Sequence, residues 1–482
     1  MRMKKLLLFL CLPAALNLTA AAQDKWDLKR CVEYALTNNI SVKQADVQAR
    51  LAKLTLDQSK LAQIPTVNVG VSAGVNSGRF QNPIDFTLQT QTTFQSGLTL
   101  QSGVTLFNGF YLQRTIDANR YSWQALLAST EKIKNDISLN VANAYLQVLL
   151  TNQTAEASLL QLHLSQNQLG LTQKQVSAGT LPELNAAELE SQVAQDSSTY
   201  ITARSNVVQA ILTLKAYMDL DASVPFDVDT PPVDQIPIEQ LADLQPDAVY
   251  VLALTYQPLQ KMDALQIQSA SQTVRATKGA MFPVVSLFGN LSSYYLNTPV
   301  LKQTLVGSAF DTIGKVVGSG TPVTTALPVP VYSVSQIKQG YFTQLNNAFA
   351  QQVGLNVSIP ILNNGVLRTN YAKSKLNLRN QELQRDQDNL TLKNNIYQAY
   401  TLAVAALQKF NAQKITLAAT QKSYDFAQKR YNVGMLNTID LLTNQNNYFN
   451  AKVNLLADQF DYVFKMKVLE YYKGLGIKLS KE

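Results

Sequence analysis

Histidine occurs once in these 482 residues and cysteine twice, and both scarcities close off chemistry. His163 lies in a leucine-rich run with no cysteine or acidic cluster at ligand spacing, so it reads as an ordinary helix residue. Cys11 sits in an apolar stretch near the N-terminus. Only Cys31 follows it, so the body of the chain holds no internal disulfide, and Cys31 reads as a small apolar residue on a helix face. There is no Gly-Lys-Ser/Thr phosphate loop, which excludes nucleotide hydrolysis by this chain. No nucleophile and base stand out together, so neither an enzyme nor a cofactor is expected. Beyond the N-terminal segment no apolar run reaches 18 residues, so no helix spans a bilayer. Charge is sparse at 15%, while Gln, Asn, Ser and Thr are abundant. The net charge of +8 is diffuse, and it does not call for nucleic acid.

What is present begins with a secretory signal over residues 1–22. Arg2, Lys4 and Lys5 form its basic region, Leu6 to Leu16 its apolar core, and Ala20-Ala21-Ala22 its small-residue cleavage site. Cys11 follows Leu10 inside the apolar core, where a lipoprotein signal needs a small residue. The chain from Gln23 onward then states one plan twice. Ala35-Leu36-Thr37 is echoed by Ala253-Leu254-Thr255, and Gln63-Ile64-Pro65 by Met281-Phe282-Pro283, at an offset of about 218. Leu106-Phe107-Asn108-Gly109 answers Leu362-Asn363-Asn364-Gly365, and Ala178-Gly179-Thr180-Leu181 answers Val433-Gly434-Met435-Leu436, at about 255. The larger offset places an insert of about 38 residues between the two strands of the second copy.

The repeating unit is a helix, a β-hairpin and a long helical hairpin. The first repeat covers 23–219, with strands over about 66–107 and helices over about 109–218. The second covers 247–473, with strands over about 284–362, a long loop at 297–347, and helices over about 365–472. A proline-rich connector, 220–246, joins them, and 474–482 forms a tail. From Phe110 to Ser177 there is no proline, and from Val366 to Val433 neither proline nor glycine. Each run, if continuous, would extend about 100 Å. Leu376, Leu383, Leu390, Tyr397 and Val404 step by sevens, and Ile133, Ile137, Val141, Ala144 and Val148 step by threes and fours. These rows predict helices packed side by side. Gly179 and Gly434 stand where each long helix must stop and reverse. Asn108-Gly109 and Asn364-Gly365 precede helical runs and so mark strand-to-helix corners rather than hairpin turns.

The strands alternate cleanly. Val67, Val69, Val71 and Val75 alternate with Asn68, Gly70, Ser72 and Gly74, and Val353, Leu355 and Val357 with Gly354, Asn356 and Ser358. Leu98, Leu100, Val104 and Leu106 form a third row, and Val285, Leu287 and Leu291 share a face in the fourth strand. Period-two alternation over about ten residues suits a transmembrane β-strand. A soluble sandwich strand with a buried face has the same pattern. Phe107, Phe110 and Tyr111 at one end, with Tyr294 and Tyr295 at the other, resemble the aromatic girdles of a membrane barrel. Four strands cannot close a barrel, and an open edge in lipid leaves backbone groups unpaired at several kcal/mol each. Closure therefore needs further copies: two would supply eight strands, three would supply twelve.

In their order, the secretory signal, the duplicated plan, Leu106-Phe107-Asn108-Gly109 and Arg430-Tyr431-Asn432-Val433-Gly434 resemble the TolC-like outer-membrane efflux family. The resemblance covers essentially the whole chain after the signal. It implies a mixed α and β membrane protein of the outer membrane of a Gram-negative bacterium. Three chains would share a twelve-strand β-barrel above an α-barrel of long antiparallel helices that projects into the periplasm. It implies that Ala178, Gly179, Thr180 and Leu181, with Val433, Gly434, Met435 and Leu436, are periplasmic tips that dock an adaptor protein serving an inner-membrane pump of RND or ABC type. A capping glycine with no partner would look the same in sequence. The resemblance also places a pore gate here, with Asp440 as a ring aspartate and Tyr431 three residues before the glycine. Asn185 and Thr443 stand where the family has further aspartates, and Leu436 where it has a basic partner. These departures leave a latch of hydrogen bonds from Tyr431 and Asn185. Small-molecule efflux and type I protein secretion both fit such a duct; a periplasmic coiled-coil scaffold with ordinary sandwich strands is the alternative of a different class.

Overall fold

A computed structural model describes residues 25–81, 86–229, 239–298 and 300–474. The secretory segment, the centre of the proline-rich connector and the tail beyond Gly474 lie outside the described residues. The element order departs from expectation at the head of each repeat and in the long loop at 297–347, which carries strands and a short helix of its own. The single helix expected at the head of each repeat is two: α1 (Leu28–Asn38) and α2 (Ile40–Leu61), then α5 (Pro246–Tyr256) and α6 (Pro258–Gly279). The first hairpin is β1 (Thr66–Gln81) and β2 (Leu88–Phe107); the long helical hairpin is α3 (Tyr111–Ser177) and α4 (Glu183–Met218). The second repeat continues with β3 (Val284–Leu296), an insert, β8 (Ala350–Ser358), α8 (Val366–Asn432) and α9 (Thr438–Lys473). Within the insert lie β4 (Val300–Ala309), β5 (Thr312–Lys315), β6 (Pro322–Thr324), β7 (Val329–Ile337) and the short helix α7 (Tyr341–Asn347).

The breaks between paired helices fall at Asn39 and Gln257, which are 218 apart, and both side chains are buried. Asn39 donates its side-chain amide to Tyr217 O at 2.9 Å, and Gln257 donates to Tyr471 O at 2.7 Å. Each break thus satisfies a carbonyl at the end of its own repeat's return helix, one of the orphan acceptors every helix terminus leaves. Left-handed residues at the same places, Asp219 and Gly474, close α4 and α9.

The chain divides into two compact bodies. The first holds 25–53, 121–268 and 379–474. Its helices bury two equivalent cores. Cys31, Val32 and Ala35 of α1 pack with Val141, Ala144 and Val148 of α3 and Leu214 of α4. Val249 and Ala253 of α5 pack with Ile396, Ala399 and Ala403 of α8 and Leu469 of α9. Cys31 and Val249 occupy matching positions, which accounts for a cysteine used as an apolar filler; burial pushes its thiol up to about 12. The α3 row is therefore packed as its spacing predicts. The heptad row on α8 is not: Leu376, Leu383, Leu390 and Tyr397 are all exposed, so that stripe has no cover within one chain.

The second body holds 54–120 and 269–378 and carries a four-stranded antiparallel sheet in the order β1-β2-β3-β8. Register puts Val71 opposite Leu98, Leu100 opposite Leu291, and Leu287 opposite Leu355, so one face is apolar across all four strands. Val71 and Val353 on that face are 77% and 78% exposed. The opposite face carries Asn68, Ser72, Gln101, Thr105, Asn290 and Asn356. Tyr295 belongs to the apolar face. Tyr294, expected in the same girdle, points to the polar face by the strand's alternation. Ile359 and Ile361, expected to extend the last strand, lie beyond Ser358. At the corner between β2 and α3, Gly109 adopts φ +64°, and a Cβ there would meet Gly279 O at 2.3 Å. Two backbones touch at this point, and only glycine allows it.

Asp263 of α6 is 3% exposed, and its Oδ2 has no hydrogen-bond partner among the described residues. Burial first, then the nearby Asp388, raises its pKa to about 6, against the opposing pull of Arg385. A carboxyl whose folded value is raised is neutral in both states below about pH 4. It then penalises the fold increasingly up to about pH 6, and fully above that. Asp263→Asn should therefore raise the midpoint of thermal unfolding at pH 7.5, by a stability gain of at most about 3 kcal/mol. At pH 4 it should change little, and circular-dichroism melts at the two pH values test the difference.

Candidate functional site

The two helical reversals have the same backbone geometry. At the first, Gly179 takes φ +74°, Gly179 N–H donates to Val176 O at 2.9 Å and Thr180 N–H to Gln175 O at 3.0 Å. At the second, Gly434 takes φ +74°, Gly434 N–H donates to Tyr431 O at 2.9 Å and Met435 N–H to Arg430 O at 2.8 Å. Both are left-handed caps that satisfy the last carbonyls of a long helix. A Cβ on either glycine would meet nothing within 4 Å, so the backbone angle alone requires glycine here. The chain then re-enters a helix through Pro182 and through Asn437, whose side chain accepts from Asp440 N–H at 2.7 Å.

Ala178, Gly179 and Thr180 are exposed, with Leu181 half-buried. Val433, Gly434 and Met435 are exposed, while Leu436 packs with Tyr431 against Leu441, Tyr424 and Ala427. The structure thus places all eight of these residues on two short reversals, with Ala178, Gly179, Thr180, Val433, Gly434 and Met435 outward and the two leucines turned partly inward. Asp440 is exposed in the first turn of α9, where the positive end of the helix dipole favours a carboxylate. Thr443 is exposed and hydrogen-bonds back to Ile439 O at 2.8 Å. Asn185 is half-buried and engages Pro182 O through its backbone N–H. Tyr431 reaches α3, where its hydroxyl lies 3.4 Å from Thr172 Oγ1, a fully buried group.

Sequence reading did not find a buried polar seam on the same helices. Ser165 of α3 donates to Asp196 of α4 at 2.5 Å, and Gln445 of α9 donates to Ser165 at 3.1 Å. Gln192 donates to the second Asp196 oxygen at 2.8 Å and also pairs with Asn446 at 3.2 Å. Three helices meet at this seam: Asp196 links α4 to α3, and α9 joins through Gln445 on Ser165 and Asn446 on Gln192. In the sequence these residues are indistinguishable from the surrounding Gln- and Ser-rich surface, so nothing there signalled them. Among the described residues no group of three His, Cys, Asp or Glu side chains is placed to hold a metal ion, and no helix is long and apolar enough to cross a membrane.

The long paired helices with glycine reversals are joined in sequence to a sheet with one exposed apolar face. The sequence profile of the outer membrane efflux protein family matches residues 31–219 and 249–464, and the chain belongs to that family. It is 19% identical to the toxin and drug export protein A of Aggregatibacter actinomycetemcomitans, over 90% of this chain and 83% of that protein. It is 24% identical to the outer membrane protein TolC of Escherichia coli (strain K12), but that match spans only 27% of either protein. A crystal structure of CusC, from work on folding and transmembrane channel formation, superposes with a TM-score of 0.75. It covers 94% of this chain and 93% of that one at 17% identity.

The two carboxylates near the reversals should respond differently to removal. Asp196→Ala leaves the buried Ser165 hydroxyl and the half-buried Gln192 amide without their acceptor and should cost about 1–3 kcal/mol. Asp440→Ala removes an exposed group and should stay within about 0.5 kcal/mol. Thermal unfolding of the detergent-solubilised variants followed by circular dichroism gives both values.

Proposed function

We propose that the chain is one third of an outer-membrane exit duct, with three copies closing a twelve-strand barrel above a periplasmic tunnel of long helices. The observation that carries this reading is the sheet: one face apolar and exposed, the other polar, and both edge strands, β1 and β8, unpaired on their outer sides. In lipid such a sheet is stable only when its edges are joined to others. The duplication supports a head-to-tail arrangement. Within the chain, β2 of the first repeat pairs with β3, the first strand of the second. Carrying that register over by the repeat offsets pairs β8 with β1 of a neighbouring copy, with Val353 opposite Val75, Leu355 opposite Ala73 and Val357 opposite Val71. All six lie on the apolar face. The corner glycines fit the same scheme: Gly109 packs on Gly279, whereas its counterpart Gly365 has nothing within 4 Å in a single chain. The uncovered heptad row of α8 likewise needs a neighbour.

In this reading the two glycine reversals are the periplasmic tips. Ala178 to Leu181 and Val433 to Leu436 meet an adaptor protein there, and an inner-membrane pump supplies the energy. Asp440 from three copies forms an acidic ring at the tunnel's narrow end, and Tyr431 with Thr172 holds α8 to α3 beside it. The duct conducts small molecules outward; the export of toxin and drug named for the Aggregatibacter relative is consistent with cargo of more than one size.

A Val75→Cys, Val353→Cys double variant tests the closure. Mild oxidation should convert monomers into a covalent ladder that stops at three chains, since paired strand residues lie within disulfide reach. A ladder that stops at two, runs past three, or never forms in membrane-inserted protein refutes the arrangement. For the acidic ring, Asp440→Asn should weaken the block of single-channel current by divalent cations at least several-fold. Unchanged blockade removes Asp440 from the pore.

A further inference from the structure

The insert of the second repeat builds one helix that it fastens to the sheet. Gln344 of α7, nine-tenths buried, accepts from Leu296 N–H at 2.7 Å. Ser293 donates to Leu345 O, and the Tyr341 hydroxyl lies 3.1 Å from Ser96 Oγ. Ser293, Tyr295 and Ser96 all belong to the apolar face, so α7 lies on that face, at the strand end remote from the helical corners. The Tyr341 ring sits 4.8 Å from Tyr295 and 5.4 Å from Phe342, and Tyr295 sits 6.3 Å from Phe94. Yet Phe342 itself is 82% exposed, turned away from the sheet that the rest of the helix grips. At the opposite strand end Phe107 and Phe110 pack edge to face. Between Val285 and Tyr295 lie about ten residues, about 34 Å of strand. Tilted by about 35–45°, that spans roughly the 25 Å apolar band of an outer-membrane barrel.

We propose that α7 is a lipid-interface anchor, with Phe342 inserted at the boundary between headgroups and acyl chains of the outer leaflet, and Tyr341 and Tyr295 beside it at headgroup level. Aromatic side chains with one apolar body and one polar tip collect at this depth. Continuity fixes the occupant: the apolar face that α7 extends is the face the barrel turns to hydrocarbon, so this inference rests on the barrel reading. The first repeat has no counterpart, because only residues 82–87 separate β1 from β2. Each copy therefore carries one anchor.

The test is depth measurement by nitroxide labelling of the full-length protein in vesicles of phosphatidylethanolamine and phosphatidylglycerol. Single cysteines replace Phe342, Leu287 on the apolar face, and Phe310 in the insert, while buried Cys31 stays unlabelled. The label at Phe342→Cys should collide with oxygen and with a water-soluble nickel complex to similar extents, the signature of the interface. The label at Leu287→Cys should meet oxygen several-fold more often, and that at Phe310→Cys the nickel complex. If Phe342→Cys behaves like Phe310→Cys while Leu287→Cys is in lipid, the anchor is refuted and the barrel stands. If Phe342→Cys is shielded from both probes, it faces protein and the anchor is likewise refuted. If Leu287→Cys meets the nickel complex freely, the barrel itself fails and takes the anchor with it.

Discussion

Unpaired backbone at the edges of a sheet is the constraint on which the rest of this protein depends. Among the described residues β1 and β8 each present a row of N–H and C=O groups with no partner on the outer side, and Arg79 is the one charged side chain on either strand where charges usually guard an edge. In water such edges aggregate; in hydrocarbon each unmet group costs several kcal/mol. The edges, the exposed apolar face and the uncovered row on α8 are three incomplete surfaces of one chain. In the proposed duct, further copies of the same chain close the edges and cover the α8 row, while lipid covers the apolar face.

Duplication explains how one sequence carries both sides of that contact. In the proposed trimer the junction between repeats inside the chain is the pattern for the junction between chains. β2 meets β3, Gly109 meets Gly279, and Cys31, Ala35, Val141, Ala144, Val148 and Leu214 of the α1 core have buried counterparts in the α5 core. Where the copies differ, the difference is local. Lys215 turns its ammonium to the carbonyls of Ala222 and Val224, while the matching Glu470 holds Lys467 in a buried ion pair at 2.7 Å. Such a pair is costly to desolvate, and it persists because both charges are matched.

Much of the architecture was legible because its causes are local. The absence of proline over nearly 70 residues, the glycines at 179 and 434, and alternation with period two each act within a few residues of where they stand. The helix break at Asn39, whose side chain caps α2 by accepting from Ser41 N–H at 2.8 Å, was not legible; the break at Gln257 had a local signal in Pro258, which disfavours helix at the residue before it. The amides of both residues also bond to carbonyls 178 and 214 positions away in the chain, which no local pattern records. The two reversals were legible by their glycines, and the left-handed angles account for those glycines on their own. The carboxylate at Asp196 escaped notice because burial, not residue type, gives it its role.

The sequence by itself determined the two-fold plan, the lengths of the helices, the reversals and the face each strand residue takes, since periodicity and backbone preference settle these without distant partners. Tertiary structure alone decided which face of α8 is left uncovered and where the insert fastens α7. It also decided that Tyr431 meets Thr172 and that a polar seam around a buried aspartate ties three helices together. Those outcomes depend on which surfaces approach each other in space, and neighbours along the chain carry no record of that.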